Sequence, residues 1–407
     1  MNPWIATMEY LEEKMLWADE IAAPFLCSTG AHIANLRQQE MFINPKPESR
    51  APFWYEKKVA TTLNLPILSI APSGLSKSYA MKFFLKVGRR SGILPWKTKM
   101  GGKITEAGFV GTVIPGEDGA VVKKRLASDY NQGIVGWDEA SHIFHKSLVD
   151  KNTELINSMM SSITEGYVSK DLSGGEVAYP TCLTPWYAAQ PGRFDMTGGL
   201  GRRVGFSFRP WRPADMLKLK YAMDEVTHEN WEDVNDEREQ IAFLINDAKE
   251  KFNPSGVSYP QATKDWLNKV CHSHMDKGTL RKFLIGRVVL EDPEADTLIL
   301  SLNEERKTML LKMHEDIWKI ADGIDCHTIM DLIPGSSRDE PVAIDALWRD
   351  FTIVNMGVDR STFNEILQRC VRNGLVYKEN ISNIGEAYWL PSEKRRRNRN
   401  SEEMEVA

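Results

Sequence analysis

Apolar positions recur at spacings of three to four residues in two N-terminal segments, Trp4–Trp17 and Ile21–Leu36. This periodicity predicts that residues 1–57 are largely helical. A turn-rich stretch at 44–49 then indicates a boundary. Between residues 58 and 212, short β-type runs alternate with helical patterns, which is typical of an α/β fold. The runs predicted as strands are Leu65–Ile70, Gly133–Trp137 and Thr181–Ala188.

The second half of the chain has a different pattern. Residues 213–325 are highly charged and predict a helical region, whose best segments are Glu229–Phe252, Gln261–Lys277 and Asn303–Ala321. Residues 340–392 predict a compact helical unit that ends in a β-hairpin. Its elements are a helix at Val342–Phe351, a helix at Ser361–Asn373 capped by Ser361, and two strands within Leu375–Leu390. Residues 393–407 form a charged tail with a basic cluster.

Composition narrows the class of protein. Of the 407 residues, 42% are apolar and 26% are charged, as in soluble multidomain proteins. The net charge is −5, so any contact with nucleic acid must use local basic patches. Five isolated cysteines argue against a zinc site and fit a reducing compartment. No long apolar stretch and no basic leader are present, so we expect an intracellular, cytoplasmic protein without membrane spans.

The first chemical motif follows the strand Leu65–Ile70. A small-residue loop and a helical pattern at Tyr79–Val87 complete the order of a phosphate-binding loop. Backbone N–H groups would cradle the phosphates, Lys77 would reach the β- and γ-phosphate oxygens, and the Ser78 hydroxyl would bind Mg²⁺. The alternative is an ordinary turn that contains Lys-Ser by chance. The predicted nucleotide-binding residues are Ala71, Pro72, Ser73, Gly74, Leu75, Ser76, Lys77 and Ser78.

The second motif is a carboxylate pair at the end of the buried-strand pattern Gly133–Trp137. Asp138 suits a Mg²⁺ ligand, and Glu139 suits a base that polarises the attacking water. Such a pair after a strand is often only a solvated loop. Because it follows a candidate phosphate loop, we interpret it as a Walker B motif. The two motifs together predict ATP hydrolysis with ATP and Mg²⁺ as cofactors.

The two motifs and their surroundings resemble the AAA+ ATPase core of the minichromosome maintenance (MCM) replicative helicases. The resemblance covers residues 58–210 and includes Ser76, a small non-glycine residue before the Lys-Ser pair. Residues 1–57 and the phosphate loop also resemble helicase-like ATPases of mobile elements and of archaeal viruses or plasmids. The other segments that carry the resemblance are 101–113, 115–119, 133–140, 156–160, 165–179, 187–195 and 200–203.

The resemblance implies further catalytic residues. Gln190 stands where the family usually has a sensor-1 Asn, and it would orient the attacking water. Thr184 is the alternative for that role. Arg202 or Arg203 would provide an arginine finger to the neighbouring subunit.

The resemblance also implies DNA contacts. Lys170 lies in the segment similar to the pre-sensor-1 hairpin of the family, and Lys123 and Lys124 follow the segment similar to the helix-2 insert. Lysines in these hairpins would contact DNA phosphates by charge. Arg281 and Arg287 are candidates for a sensor-2 arginine in the region that follows the core.

The implied architecture is an α/β AAA+ P-loop ATPase core at 58–212 with three added parts. These are a helical N-terminal segment at 1–57, a helical lid at 213–325 and a C-terminal winged helix at 340–392. MCM helicases carry a large N-terminal oligonucleotide-binding domain, so we expect a shortened MCM-like ATPase.

The expected activity is that of an ATP-driven DNA helicase acting in DNA replication. Subunits would form a homo-oligomeric ring, a hexamer, around single-stranded or forked DNA. Two alternatives remain open. One is a translocase that moves on DNA without separating its strands, and the other is an ATP-switched, DNA-binding initiator or regulator.

Overall fold

The computed structural model of the protein divides into two compact units, one formed by Met1–Arg209 with Val226–Ile317 and the other by Pro210–Glu225 with Trp318–Ala407. The residues that the structure describes are 2–43, 55–56, 59–60, 62–72, 74–116, 119–144, 152–172, 175–190, 203–209, 218–221, 231–271, 274–322, 324–333, 335–354, 359–372 and 374–391.

Helices and strands are numbered separately along the chain. The helices are α1 (Pro3–Lys14), α2 (Ala18–Ile21), α3 (Ala23–Ile43), α4 (Lys77–Phe84), α5 (Glu106–Phe109), α6 (Leu126–Asp129), α7 (Ser141–Phe144), α8 (Thr153–Thr164), α9 (Trp231–Lys251), α10 (Gln261–Val270), α11 (His274–Glu291), α12 (Glu304–Asp322), α13 (Ile324–Leu332), α14 (Ile344–Val354) and α15 (Arg360–Arg372). The strands are β1 (Tyr55–Glu56), β2 (Val59–Ala60), β3 (Ile67–Ile70), β4 (Thr98–Gly101), β5 (Gly111–Gly116), β6 (Gly119–Lys124), β7 (Ile134–Trp137), β8 (Tyr167–Leu172), β9 (Gly175–Pro180), β10 (Thr184–Ala189), β11 (Gly205–Phe208), β12 (Gly256–Ser258), β13 (Thr297–Ile299), β14 (Val342–Ala343), β15 (Tyr377–Ile381) and β16 (Gly385–Trp389).

The centre of the first unit is a five-stranded parallel sheet in the order β11-β3-β10-β7-β4. Every residue of β3, β7, β10 and β11 is buried. Parallel strands covered on both faces read as continuous apolar runs, which is why three of these strands are visible in the sequence. The predicted α/β class is therefore confirmed. The two edge strands, β4 and β11, are not predicted from the sequence.

The N-terminal helices belong to the first unit and contribute to its core. Helix α1 begins after Asn2, whose side chain accepts hydrogen bonds from the backbone N–H groups of Trp4 and Ile5. Helix α3 packs along α11, and the crossing is close because Gly30 faces Gly286. Two N-terminal helices are therefore predicted in roughly the right places, and a short third helix, α2, lies between them.

A buried network of hydrogen bonds connects α3 to the amino-terminal edge of the sheet. Nδ1 of His32 lies 2.8 Å from the Thr184 hydroxyl, and Nε2 lies 3.2 Å from the Gln132 carbonyl oxygen. The Thr184 hydroxyl also donates to the side-chain oxygen of Asn64, at 2.9 Å. Burial lowers the pKa of His32 to about 4, so the ring is neutral at ordinary pH.

Two antiparallel hairpins, β5–β6 and β8–β9, lie outside the central sheet and pack on each other. The phenol of Tyr179 in β9 donates to the carbonyl oxygen of Val110 just before β5, at 2.6 Å. The ammonium of Lys124 in β6 lies 5.1 Å from the centre of the Tyr179 ring. The hairpins therefore form one structural block.

The helical part of the first unit follows the predicted pattern with one correction. The predicted helix Gln261–Lys277 is two helices, because α10 ends at Val270 and α11 begins at His274. The backbone N–H of Cys271 still donates to a carbonyl oxygen of α10. Because the backbone of Cys271 itself is extended, the helix ends before this residue. Among the described residues, no helix is long and apolar enough to cross a membrane.

In the second unit, α13, α14 and α15 pack against a three-stranded antiparallel sheet in the order β14-β16-β15. The predicted order of two helices and a hairpin in 340–392 is confirmed. The cap of α15 is Asp359 rather than Ser361, because the Asp359 carboxylate accepts from the backbone N–H of Thr362 at 2.8 Å. The two hydrogen bonds from Thr362 lower the pKa of Asp359.

Candidate nucleotide-binding site

The predicted phosphate loop joins the buried strand β3 to the first turn of α4, which begins at Lys77. Gly74 has a φ of +91° and Ser76 a φ of +58°, so both lie in the left-handed region. A left-handed serine is uncommon and costs about 1 kcal/mol or more, which marks a constrained backbone. Ser73 lies outside the described residues. The loop therefore turns sharply just ahead of α4.

Lys77 lies folded over this loop. Lys77 is only 7% exposed, and its ammonium donates to the carbonyl oxygen of Pro72 at 3.2 Å. Burial lowers the pKa of Lys77, while the charges of Glu139 and Asp138 oppose that shift. The ammonium is therefore held at the loop, next to acidic groups, where an incoming phosphate would be paired.

The two motifs meet although 60 residues separate them. The Ser78 hydroxyl donates to Oδ1 of Asp138, and the ammonium of Lys82 lies 3.5 Å from Oδ2 of the same carboxylate. Ser78 and Lys82 are four residues apart and therefore share one face of α4. Lys82 is a site residue that the sequence interpretation missed, and the i, i+4 spacing from Ser78 was the available signal.

The register of the sheet explains this meeting. Strand β10 lies between β3 and β7, with Ala189 opposite Ile70 and Tyr187 opposite Trp137. The carboxyl ends of all three strands therefore lie at one edge of the sheet, where open α/β sheets bind their ligands. Gln190 comes directly after β10 at this edge.

Backbone hydrogen bonds connect both loops at this edge to the end of β10. The N–H of Ala71 donates to the Ala189 carbonyl oxygen at 3.2 Å, and the N–H of Ala140 donates to the Ala188 carbonyl oxygen at 2.8 Å. The phosphate loop and the carboxylate loop are thus both anchored to the end of β10. Gln190, the residue predicted to orient the attacking water, directly follows the end of β10.

Thr184, the alternative to Gln190, lies at the other edge of the sheet. It is the first residue of β10 and pairs with Ile134, the first residue of β7. Its hydroxyl is engaged by His32 and Asn64. The alternative role of Thr184 as a sensor is therefore wrong, because it cannot face a nucleotide at the carboxyl edge.

Glu139 follows Asp138 in the loop and has an exposed side chain. Its backbone carbonyl oxygen lies 2.5 Å from Nδ1 of His142, which fixes the start of the turn into α7. The carboxylate is close enough to Lys77 to influence its pKa. Glu139 is thus brought to the same edge as the phosphate loop, with its carboxylate open to solvent.

Of the two candidates for the arginine finger, the structure describes only one. Arg202 lies outside the described residues. Arg203 is exposed and comes two residues before Gly205, which pairs with Ile67 at the amino-terminal edge of the sheet. Arg203 is therefore at the opposite edge of the sheet from the phosphate loop of its own chain.

The predicted DNA contacts lie on the two packed hairpins. Lys123 and Lys124 have exposed side chains on β6. Lys170 lies within β8, opposite Val177, and forms an ion pair with Glu106. It is therefore inside the hairpin arm rather than at its tip.

The sensor-2 candidates lie on α11. Arg287 donates to Glu291 at 2.6 Å and to Glu305 at 2.8 Å, and its guanidinium lies 4.8 Å from the centre of the Trp4 ring. These contacts give Arg287 a structural role between helices. Arg281 is 8% exposed and lies 6.0 Å from the centre of the Tyr259 ring. The contacts given for Arg287 and Arg281 do not support a sensor-2 role for either residue.

The donor set at the carboxyl edge fits Mg²⁺. Ser78 and Asp138 present oxygen atoms, the ligands that Mg²⁺ prefers, and Mg²⁺ commonly takes its other ligands from phosphates and water. Within the part of the chain that the structure describes, no group of three or more His, Cys, Asp or Glu side chains is placed to hold a metal ion.

Comparison with known proteins adds no family to this picture. No protein-family model matches the chain, and no curated protein matches it. The functional interpretation therefore depends on the geometry of the site.

Proposed function

We propose that the protein is an ATP hydrolase with an AAA+ type core. The observation that carries the proposal is the hydrogen bond between Ser78 and Asp138, with Lys77 held over the same loop. Two motifs that are independent in sequence converge at one edge of a parallel sheet, in the order that binding and hydrolysis of a nucleoside triphosphate require.

Each residue has a separate task in this proposal. Backbone N–H groups of 74–78 bind the phosphate oxygens, and Lys77 neutralises charge on the β- and γ-phosphates. Ser78 and Asp138 would hold Mg²⁺, which would supply positive charge that stabilises the negative charge developing on the phosphates. Glu139 accepts a proton from the attacking water, and Gln190 orients that water.

Two variants test these tasks. Lys77→Ala should lose ATP hydrolysis and bind ATP weakly, because the charge on the phosphates is left uncompensated, a loss of several kcal/mol. Glu139→Gln should bind ATP as the wild type does but hydrolyse it slowly. Lys86→Ala, which removes an exposed lysine just beyond α4, is the matched control. Wild-type turnover by Lys77→Ala would refute the proposed site, and equal loss of ATP binding in both site variants would refute the separate roles.

The proposal extends to movement on DNA by a ring of subunits. Arg203 lies at the edge of the sheet away from the phosphate loop of its own chain, which suits an arginine that serves a neighbour. Lys123 and Lys124 on β6 and Lys170 on β8 are the cations that these hairpins would offer for charge-based contacts with a strand of any sequence. Strand displacement on forked DNA, together with electron microscopy in ATP and DNA, tests this extension, and a monomer without unwinding would refute it.

A second candidate is an ATP-switched DNA-binding regulator. The observation that favours it is the second unit, where α13, β14, α14, α15, β15 and β16 follow the order of a winged helix. Helix α15 presents exposed Gln368, Arg369 and Arg372, and helices of this kind can enter the major groove. ATP turnover that rises with added DNA favours the helicase or translocase, whereas slow turnover unaffected by DNA favours the regulator.

A further inference from the structure

The lysine proposed to contact DNA is already engaged within the protein. Lys170 of β8 forms an ion pair with Glu106, and the two side chains are 19% and 14% exposed. The Glu106 carboxylate therefore competes with any DNA phosphate for this ammonium.

Glu106 connects three elements at this point. It lies in the first turn of α5, and its second carboxylate oxygen accepts a hydrogen bond from the Ser158 hydroxyl of α8, at 3.2 Å. Helix α8 packs against β8 and is the next described element after the helix α7 that follows Glu139. The same carboxylate therefore links the hairpin arm to a helix that follows the proposed catalytic loop.

The pair has the properties of a contact that can exchange. Two partly buried charges attract each other more strongly than two solvated ones, but each keeps some access to water. A DNA phosphate offers Lys170 the same kind of partner as the Glu106 carboxylate. The apparent affinity for DNA then falls by the fraction of molecules in which the lysine is released.

We propose that Glu106 is a latch that withholds Lys170 from DNA until the β8–β9 hairpin is displaced. This inference rests on the proposed function, because it assigns a regulation to the DNA contact of the ATPase. The carboxylate holds the ammonium in the resting state, and a phosphate takes its place when the hairpin engages a strand. Ser158 keeps the carboxylate in position on the side of α8.

The test compares single-stranded DNA binding by Glu106→Gln and the wild-type full chain, using fluorescence anisotropy at fixed salt. Glu106→Gln should bind about 5-fold more tightly, because loss of a modest ion pair changes an equilibrium by about that factor. Glu176→Gln is the matched control. It removes the same charge from the exposed face of the same hairpin, opposite Asp171, and should leave the affinity within about 2-fold of wild type.

A double-mutant cycle separates the latch from a general effect of charge. In a Lys170→Met background, Glu106→Gln should no longer tighten binding. Equal tightening with and without Lys170, or no tightening by Glu106→Gln in a chain that melts as the wild type does, would overturn the latch. If Glu106→Gln melts early, Glu106→Asp is used, since the shorter side chain weakens the pair and should give a smaller gain.

The cycle also distinguishes the latch from the proposed function. If Lys170→Met binds DNA as tightly as the wild type, Lys170 is not a DNA contact and that part of the proposed function fails. If Lys170→Met loses affinity but Glu106→Gln gains none, the DNA contact stands and only the latch is refuted.

Discussion

Replacing Gly286 by alanine should disrupt the crossing of α3 and α11 and destabilise the first unit. A Cβ atom on Gly286 would lie 1.8 Å from the carbonyl oxygen of Cys27, and a Cβ on Gly30 would lie 2.0 Å from the carbonyl oxygen of Gly286. Real Cβ atoms keep at least 3.0 Å from such neighbours. The helix backbones would therefore have to separate by about 1.2 Å, the difference between 3.0 Å and 1.8 Å.

Separating the two helices would weaken the α3–α11 interface and so lower the free energy of unfolding. Overpacking of a tight core typically costs about 1–3 kcal/mol, and it costs more where only backbone can move. Helix α3 is buried around most of its circumference, as Phe25, Leu26 and Ala31 show, so a shift loses contacts on several sides. Alanine gains about 1 kcal/mol of helix propensity over glycine. We expect a net loss of about 2 kcal/mol in the free energy of unfolding.

The assay is urea unfolding of the full chain, followed by tryptophan fluorescence and by circular dichroism. Gly278→Ala is the matched control in the same helix, because a Cβ there meets no atom within 4 Å. The control should gain up to about 1 kcal/mol from helix propensity alone. If Gly286→Ala unfolds at the same urea concentration as Gly278→Ala, the close helix crossing is refuted.

The remaining predictions concern a buried histidine and the proposed finger. The free energy of unfolding should decrease as the pH falls from about 6.5 to about 4, by up to about 3 kcal/mol, because the unfolded chain protonates His32 while the folded chain keeps it neutral. His32→Gln should flatten this part of a pH series of melting curves, and an unchanged slope would contradict the prediction. Mixtures of Arg202→Ala and Lys77→Ala subunits should recover some ATPase activity, since some interfaces would pair one intact side from each. Recovery in no mixture would argue for a role within one chain or for Arg203.

The sequence predicts the parts of the site that depend on local pattern. The strand β3, the loop after it and the helix α4 follow from one apolar run and a short motif, so Lys77 and Ser78 are found directly. Asp138 is found the same way from the buried run of β7. Lys82 is missed, because its role depends on a partner in a loop 56 residues away, and only the sheet order brings them together.

The N-terminal segment shows a different limit of sequence interpretation. Helix α3 is buried on nearly all sides, so its apolar positions do not form the single stripe that predicts a packing face. Its contacts with α11 depend on two glycines that lie 256 residues apart. The separate segment that the periodicity indicates at 1–57 is thus, in its described part, a component of the first unit.

The charges around the end of β11 give a physical reason why the segments of the first unit depend on one another. Arg209 is 2% exposed, its N–H donates to the Ile70 carbonyl oxygen at 2.9 Å, and its guanidinium donates to Glu20 of α2 at 2.5 Å. Lys312 of α12 lies 3.2 Å from Asp316 and 3.8 Å from Glu20. Although burial lowers the pKa of Lys312, these two carboxylates raise it overall and keep the ammonium charged. Removing α2 would leave the buried Arg209 guanidinium without the Glu20 carboxylate, beside the strand that leads into the phosphate loop, which is far more costly than losing a surface pair. A fragment limited to residues 58–212 would therefore bury Arg209 without the Glu20 carboxylate, and nucleotide binding should be measured on the full chain.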